Sequence, residues 1–248
     1  MKYFCKIRYV GTHFCGYQVQ PNRRTVQGVL NTAAEAVFGV PSLITGCSRT
    51  DSGVHADGFC LTLEPSGDAP QIPAENLPLA FQGLLPPDLS LYEAKEVDAA
   101  FHARYDVKAK TYRYKILNSR IDNPFFVHRA WQVRVPLDFE KMKEAAPLFA
   151  GKHDFSSFMA QGSTVTSTVR TVFDSHMERE GDFIVFSVTA DGFLYNMVRI
   201  MTGTLVAIGK GKMPPTAINE MLAAKARVAA GETAPPDGLY LSTVDYGT

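Results

Sequence analysis

Two hydrophobic rhythms run through this chain, and they do not follow the strict strand, helix, strand order that a parallel sheet requires. From Phe4 to Val10, Cys5, Ile7 and Tyr9 alternate with Lys6 and Arg8, the period of a half-buried strand. Thr25 then opens a segment in which Val26, Val29, Leu30, Ala33 and Val37 recur at helical spacing until Gly39. A loop rich in Gly, Ser and Thr, residues 46–58, leads to a strand over 59–63, a Pro-rich helical segment over 73–85 and a strand over 89–97. A second unit begins near Arg104. Residues 111–117 alternate, with Tyr112, Tyr114 and Ile116 on one side and Arg113 and Lys115 on the other. A helix over 138–149 stops before Gly151, and strands 169–179 and 183–190 form a hairpin around Glu180, Gly181 and Asp182. The strongest helix spans 194–208, with Leu194, Met197, Val198, Met201, Leu205 and Ile208 on one stripe, and a strand over 239–246 closes the chain. The pattern predicts an α+β protein of two domains, 1–104 and 105–248, with mostly antiparallel sheet covered by helices.

Charge narrows the function classes. Twenty-five basic and 25 acidic side chains cancel, whereas nucleic-acid binders are commonly basic overall. The charges are segregated: residues 1–50 carry +5, residues 64–98 carry −6 and residues 104–134 carry +6. Such segregation builds a basic face on a neutral protein, although a solvated mixed surface has the same composition. No apolar run approaches bilayer length, so the chain is expected to be soluble, with no membrane partner. The four cysteines lie in the first quarter of the chain without metal-ligand or C-x-x-C spacing, which predicts unreactive thiols in a reducing cytoplasm and no metal site.

The segment Gly46-Cys47-Ser48-Arg49-Thr50-Asp51-Ser52-Gly53-Val54-His55-Ala56 carries the chemistry. It presents the Asp51 carboxylate between short side chains, with the Arg49 guanidinium two positions earlier to hold it ionised. An accessible carboxylate of this kind can attack a sugar carbon. Asp-Ser-Gly is also ordinary turn chemistry, and the segment alone leaves both readings open.

This loop resembles the signature of the TruA-type tRNA pseudouridine synthases, usually G-R-T-D-x-G-V-H-A. Further blocks are similar to the family's and stand in the same order: Phe101-His102-Ala103-Arg104, Lys110-Thr111-Tyr112-Arg113-Tyr114, Asp154-Phe155-Ser156-Ser157-Phe158, Phe193 to Gly203 with Met197-Val198-Arg199, and Gly238-Leu239-Tyr240-Leu241. They span nearly the whole chain. Ser48 departs from the family's usual Gly, and Tyr17 from its common Trp.

The resemblance implies two α+β halves sharing a mostly antiparallel central sheet, a basic cleft between them, and isomerisation of uridine in the tRNA anticodon stem-loop at positions 38, 39 and 40. It implies a homodimer and no cofactor, since nothing is oxidised or hydrolysed. Asp51 takes the place of the catalytic aspartate; whether it attacks C1′, attacks the base or removes a sugar proton stays open. Arg49 is expected to pair with Asp51 or to fill the space of an extruded base. Tyr112 matches the residue that stacks on the uracil, with core packing as its alternative. Lys110 and Arg113 are expected to meet phosphates. Arg199 matches the partner of Asp51, although the helical wheel by itself makes it a solvated charge. Leu241 matches a substrate-binding position that core packing would also explain. A non-catalytic RNA-binding module would have no use for a carboxylate facing phosphates, and a glycoside hydrolase generally needs two carboxylates where only Asp51 is well set.

Overall fold

A computed structural model describes residues 1–162 and 165–247. The chain divides into two compact units, Met1–Lys108 with Tyr240–Thr248, and Ala109–Leu239. Each combines antiparallel strands with helices, the α+β class that the periodicities predict.

In the first unit, strands β1 (Tyr3–Tyr9), β2 (Ser42–Gly46), β3 (His55–Pro65), β4 (Leu89–Glu96) and β10 (Leu239–Asp245) are arranged in the order β4, β1, β3, β10. β1 is antiparallel to both β3 and β4. β3 changes partner along one edge: residues 61–65 pair with β2, whereas His55 and Ala56 pair in parallel with Tyr240 and Leu241 of β10. Helix α1 (Val26–Phe38) is bounded as expected, because Thr25 Oγ1 accepts from the Gly28 N–H and Gly39 adopts φ 71° at the C-cap. It buries Val26, Leu30, Ala33, Ala34 and Phe38. Helix α2 (Leu77–Gln82) buries Leu77 and Phe81. β2 lay hidden in sequence, since Ser42, Thr45 and Gly46 surround only Leu43 and Ile44 and the burial pattern does not alternate.

In the second unit, β5 (Ala109–Leu117), β7 (Gly151–Asp154), β8 (Val169–Glu180) and β9 (Phe183–Ala190) lie in the order β5, β9, β8, β7, with β6 (Trp131–Gln132) beside β5. The β8–β9 hairpin turns at Gly181, φ 60°. Helices α3 (Phe139–Ala145), α4 (Met197–Gly209) and α5 (Ala217–Ala224) complete the unit. The Asp154 block is a clip: its Oδ1 accepts from the Ser156 N–H and from the hydroxyls of Ser156 and Thr168. Ser157 Oγ donates to Met221 O and accepts from the Ala226 N–H, which ties α5 to the same turn. These hydrogen bonds to the charged form hold the Asp154 carboxyl at about 2.

Helix α4 departs from the single apolar stripe read in the sequence. It starts at Met197, three residues later than the pattern suggests, because Asn196 takes the left-handed conformation at φ 60° and ψ 10°. It is buried on nearly every side, with Gly203 packed against the backbone of Glu232 and Gly209 against Met142. Small residues let these segments approach, so polar positions on the wheel meet protein instead of water. No helix among the described residues is long and apolar enough to cross a membrane. No cysteine is joined in a disulfide, and burial pushes the Cys5 and Cys60 thiols up to about 12, where they carry no reactive thiolate at neutral pH.

Candidate active site

The Asp51 loop, residues 47–54, leaves the first sheet where β2 gives up the β3 edge. Its backbone is bound on several sides. Cys47 N–H donates to Cys60 O, Tyr17 N–H to Thr50 O and Gly53 N–H to Phe14 O. The Thr50 hydroxyl is buried against Tyr9 Oη at 2.7 Å, and Ser52 Oγ donates to Phe14 O. Val54 N–H closes the turn on Asp51 O, with Gly53 at φ 81° in the position that favours glycine. Asp51 itself is half-buried and Arg49 exposed. The loop is therefore more than a surface turn, because the residues on either side of the carboxylate are fixed to three other segments.

Two features that hold this loop escaped sequence reading. Gly11 lies so close to it that a Cβ there would stand 2.0 Å from Val54 O. Its N–H donates to Nδ1 of His55, and the His55 ring stacks on Tyr240 at 4.6 Å. His55 is 1% exposed, so β3 begins there, four residues before the alternation starts, with an imidazole as a buried strut. Tyr17, where the family often has Trp, stacks on Phe59 at 4.4 Å, and its ring occupies the space that a side chain at Gly46 would need.

Beside the loop, a cavity of about 160 Å³ is lined by Tyr17, Gln18, Gln27, Ser48, Arg49 and Arg104, with Ile44, Thr45 and Gly46. Its lining holds two guanidinium groups and no carboxylate. Like charges converging without an acid favour an anion such as a phosphate. Leu241, in the same unit, is fully buried in β10 and packs as core.

In the second unit Tyr112 and Tyr114 share one face of β5, paired with Val188 and Phe186 of β9. Tyr112 is buried, 7% exposed, and meets Phe193 edge-on at 5.0 Å, and Tyr114 is fully buried and donates its hydroxyl to Pro235 O at 2.6 Å. Lys110 stands at the same strand parity as Tyr112. Arg113 stands at the opposite parity and turns to Ser187 Oγ at 3.4 Å and Glu178 at 3.5 Å, so it is not brought beside Tyr112. Arg199 is half-buried instead of solvated: its Nε donates to Ala234 O at 2.7 Å and its Nη1 to Asn196 Oδ1 at 2.8 Å.

An α+β chain with a carboxylate on a clamped loop and a basic cavity beside that loop has the features of an enzyme that modifies a nucleic acid. The sequence pattern described as tRNA pseudouridine synthase matches residues 6–106 and 145–247, and the chain belongs to that family. Proteins named tRNA pseudouridine synthase A are similar along almost the entire length. That of Thermoanaerobacter sp. (strain X514) is 45% identical over 240 residues, 97% of each chain. That of Bacillus pumilus (strain SAFR-032) is 45% identical over 249 residues, 99% of each, and that of Halalkalibacterium halodurans is 46% identical over 94% of this chain and 88% of its own. As a member of this family the chain is an isomerase that makes pseudouridine in tRNA.

Proposed function

We propose that the chain isomerises uridine to pseudouridine in the tRNA anticodon stem-loop, at positions 38, 39 and 40, with Asp51 as its catalytic group. The observation that carries this reading is the half-buried Asp51 carboxylate on a loop held by Thr50, Gly53 and Val54. The N1 to C1′ bond of the nucleoside breaks, the uracil turns, and a C5 to C1′ bond forms. The proton on C5 passes to solvent and N1 gains one, so no oxidant, reductant or cofactor enters the balance. Asp51 and Arg199 both serve the reacting nucleoside and Tyr112 stacks on the base, while Leu241, fully buried, supports β10 from within the core. Arg49, Lys110 and, at longer range, Arg113 meet phosphates. Both the cytoplasm and a homodimer belong to this reading; exposed Ile121, Phe125 and Val127 offer apolar surface to a second copy. Incubation with tRNA tritiated at uracil C5 tests the activity, because each isomerisation releases one label to water. Retention of the label with tRNA bound would reject it.

The two tyrosines of β5 are expected to separate. Tyr112→Ala should lower turnover per folded molecule by about 5- to 150-fold, since base stacking on an aromatic ring contributes about 1–3 kcal/mol. Tyr114→Ala should appear chiefly as a lower melting temperature, because it empties a fully buried site and frees Pro235 O. Tritium release and thermal melting of both variants decide it, and a stable Tyr112→Ala enzyme with full activity would remove Tyr112 from the substrate.

A further inference from the structure

Asn196 occupies the N-cap of α4, a position where Asn ordinarily stabilises a helix by accepting from an N–H of the first turn. Here it makes no such bond. Its backbone sits at φ 60° and ψ 10°, a left-handed conformation that carries a conformational cost for any residue with a side chain. Its side-chain Oδ1 instead accepts from Nη1 of Arg199 at 2.8 Å, one helical turn away. A second bond runs from Arg199 Nε to Ala234 O, and Ala234 N–H returns a bond to Arg199 O. The protein thus holds the guanidinium at two different nitrogens, which fixes both the position and the plane of a flat group. The Ala234 end of this clamp is itself anchored, since Tyr114 Oη donates to Pro235 O and Gly203 admits the 231–234 backbone against α4.

We propose that Asn196 is a positioning residue for the reaction, forgoing its helix cap to aim the Arg199 guanidinium; this rests on the assignment of Arg199 to the reacting site. Asn is one of the few side chains that tolerates the left-handed backbone and also offers a short, uncharged acceptor. A misplacement of the guanidinium by a fraction of an ångström weakens its hold on a carboxylate or phosphate, and the cost falls on the chemical step more than on tRNA affinity.

Asn196→Gly separates the two roles, because glycine adopts φ 60° freely and there is no capping bond to lose. The Gly variant is expected to melt at or above the wild-type temperature, yet its kcat for tritium release should fall about 10- to 100-fold while KM moves less than about threefold. Asn196→Asp, which restores the Oδ1 acceptor, should recover at least about tenfold of that loss. In an Arg199→Lys background, where neither clamp bond survives, adding Asn196→Gly should slow the enzyme no further. Wild-type kcat for Asn196→Gly, or a full additional loss in the Lys background, would overturn the proposal. Wild-type kcat for Arg199→Lys would instead reject the assignment of Arg199, whatever Asn196 does.

Discussion

Asp51→Asn is expected to lower turnover by at least about 10³-fold, the scale lost when a group acting directly on the reacting atoms is removed. Asn keeps the shape of the side chain and removes its charge. Attack at C1′, attack at the base and removal of a sugar proton all require the charged carboxylate, so the variant tests all three routes together. The fold should survive, because the loop is held through backbone groups of Thr50, Gly53 and Val54 and through the Thr50 and Ser52 hydroxyls, none of which changes. Binding of tRNA should stay the same or tighten, since a negative charge beside a phosphate polymer repels it. Tritium release, thermal melting and tRNA binding on one preparation give the answer. Substantial residual release would remove Asp51 from the chemistry, and loss of activity through unfolding would make it a turn residue.

The largest stability effect is expected at Gly11→Ala. The added Cβ would meet Val54 O at 2.0 Å and Val54 C at 2.5 Å, and these are backbone atoms that no rotamer change can move aside. Relief requires the strand end and the Asp51 loop to part, which also lengthens the bond from Gly11 N–H to His55. Overpacking of this kind costs about 3 kcal/mol, which corresponds to roughly 6–12 °C in Tm for a chain of this size. Turnover should fall as well, because the displaced backbone belongs to the loop that carries Asp51. Gly83→Ala is the control: nothing lies within 4 Å of its Cβ position and its φ is −80°, so its Tm should be unchanged or slightly raised. Equal melting of the two variants would show that the loop yields without cost.

Some of this architecture was legible in the residues and some was not, for physical reasons. The borders of α1 were readable because Thr25 and Gly39 act locally, through one hydroxyl and one left-handed backbone. The β8–β9 hairpin was readable because Gly181 sits between alternating runs. α5 was not, since its apolar residues Ala217, Ile218, Met221 and Leu222 cover barely two turns and no side-chain cap marks its start. In the site, the residues of the Asp51 loop stand together in sequence and so carried a motif. The grip on that loop comes from Tyr9, Gly11, Phe14 and Tyr17, which only folding brings near it. Arg199 was misread by the helical wheel because the wheel presumes one wet side, and α4 is buried almost all round. Asn196 fell inside the helix drawn over 194–208, and only its left-handed dihedrals show that the helix begins after it.

The pairing of β10 with the start of β3 has a consequence for how the molecule is made. A ribosome delivers His55 long before Tyr240, with the whole second unit between them, yet the two residues are register partners and their rings stack. The edge beside the Asp51 loop therefore lacks its neighbour until Tyr240 has been made, and the first unit cannot close before the whole of the second has been synthesised. The second unit, continuous from Ala109 to Leu239, has no such wait. The surroundings of the Asp51 loop are thus completed after those of the second unit, and a fragment that stops short of Tyr240 lacks the partner of His55.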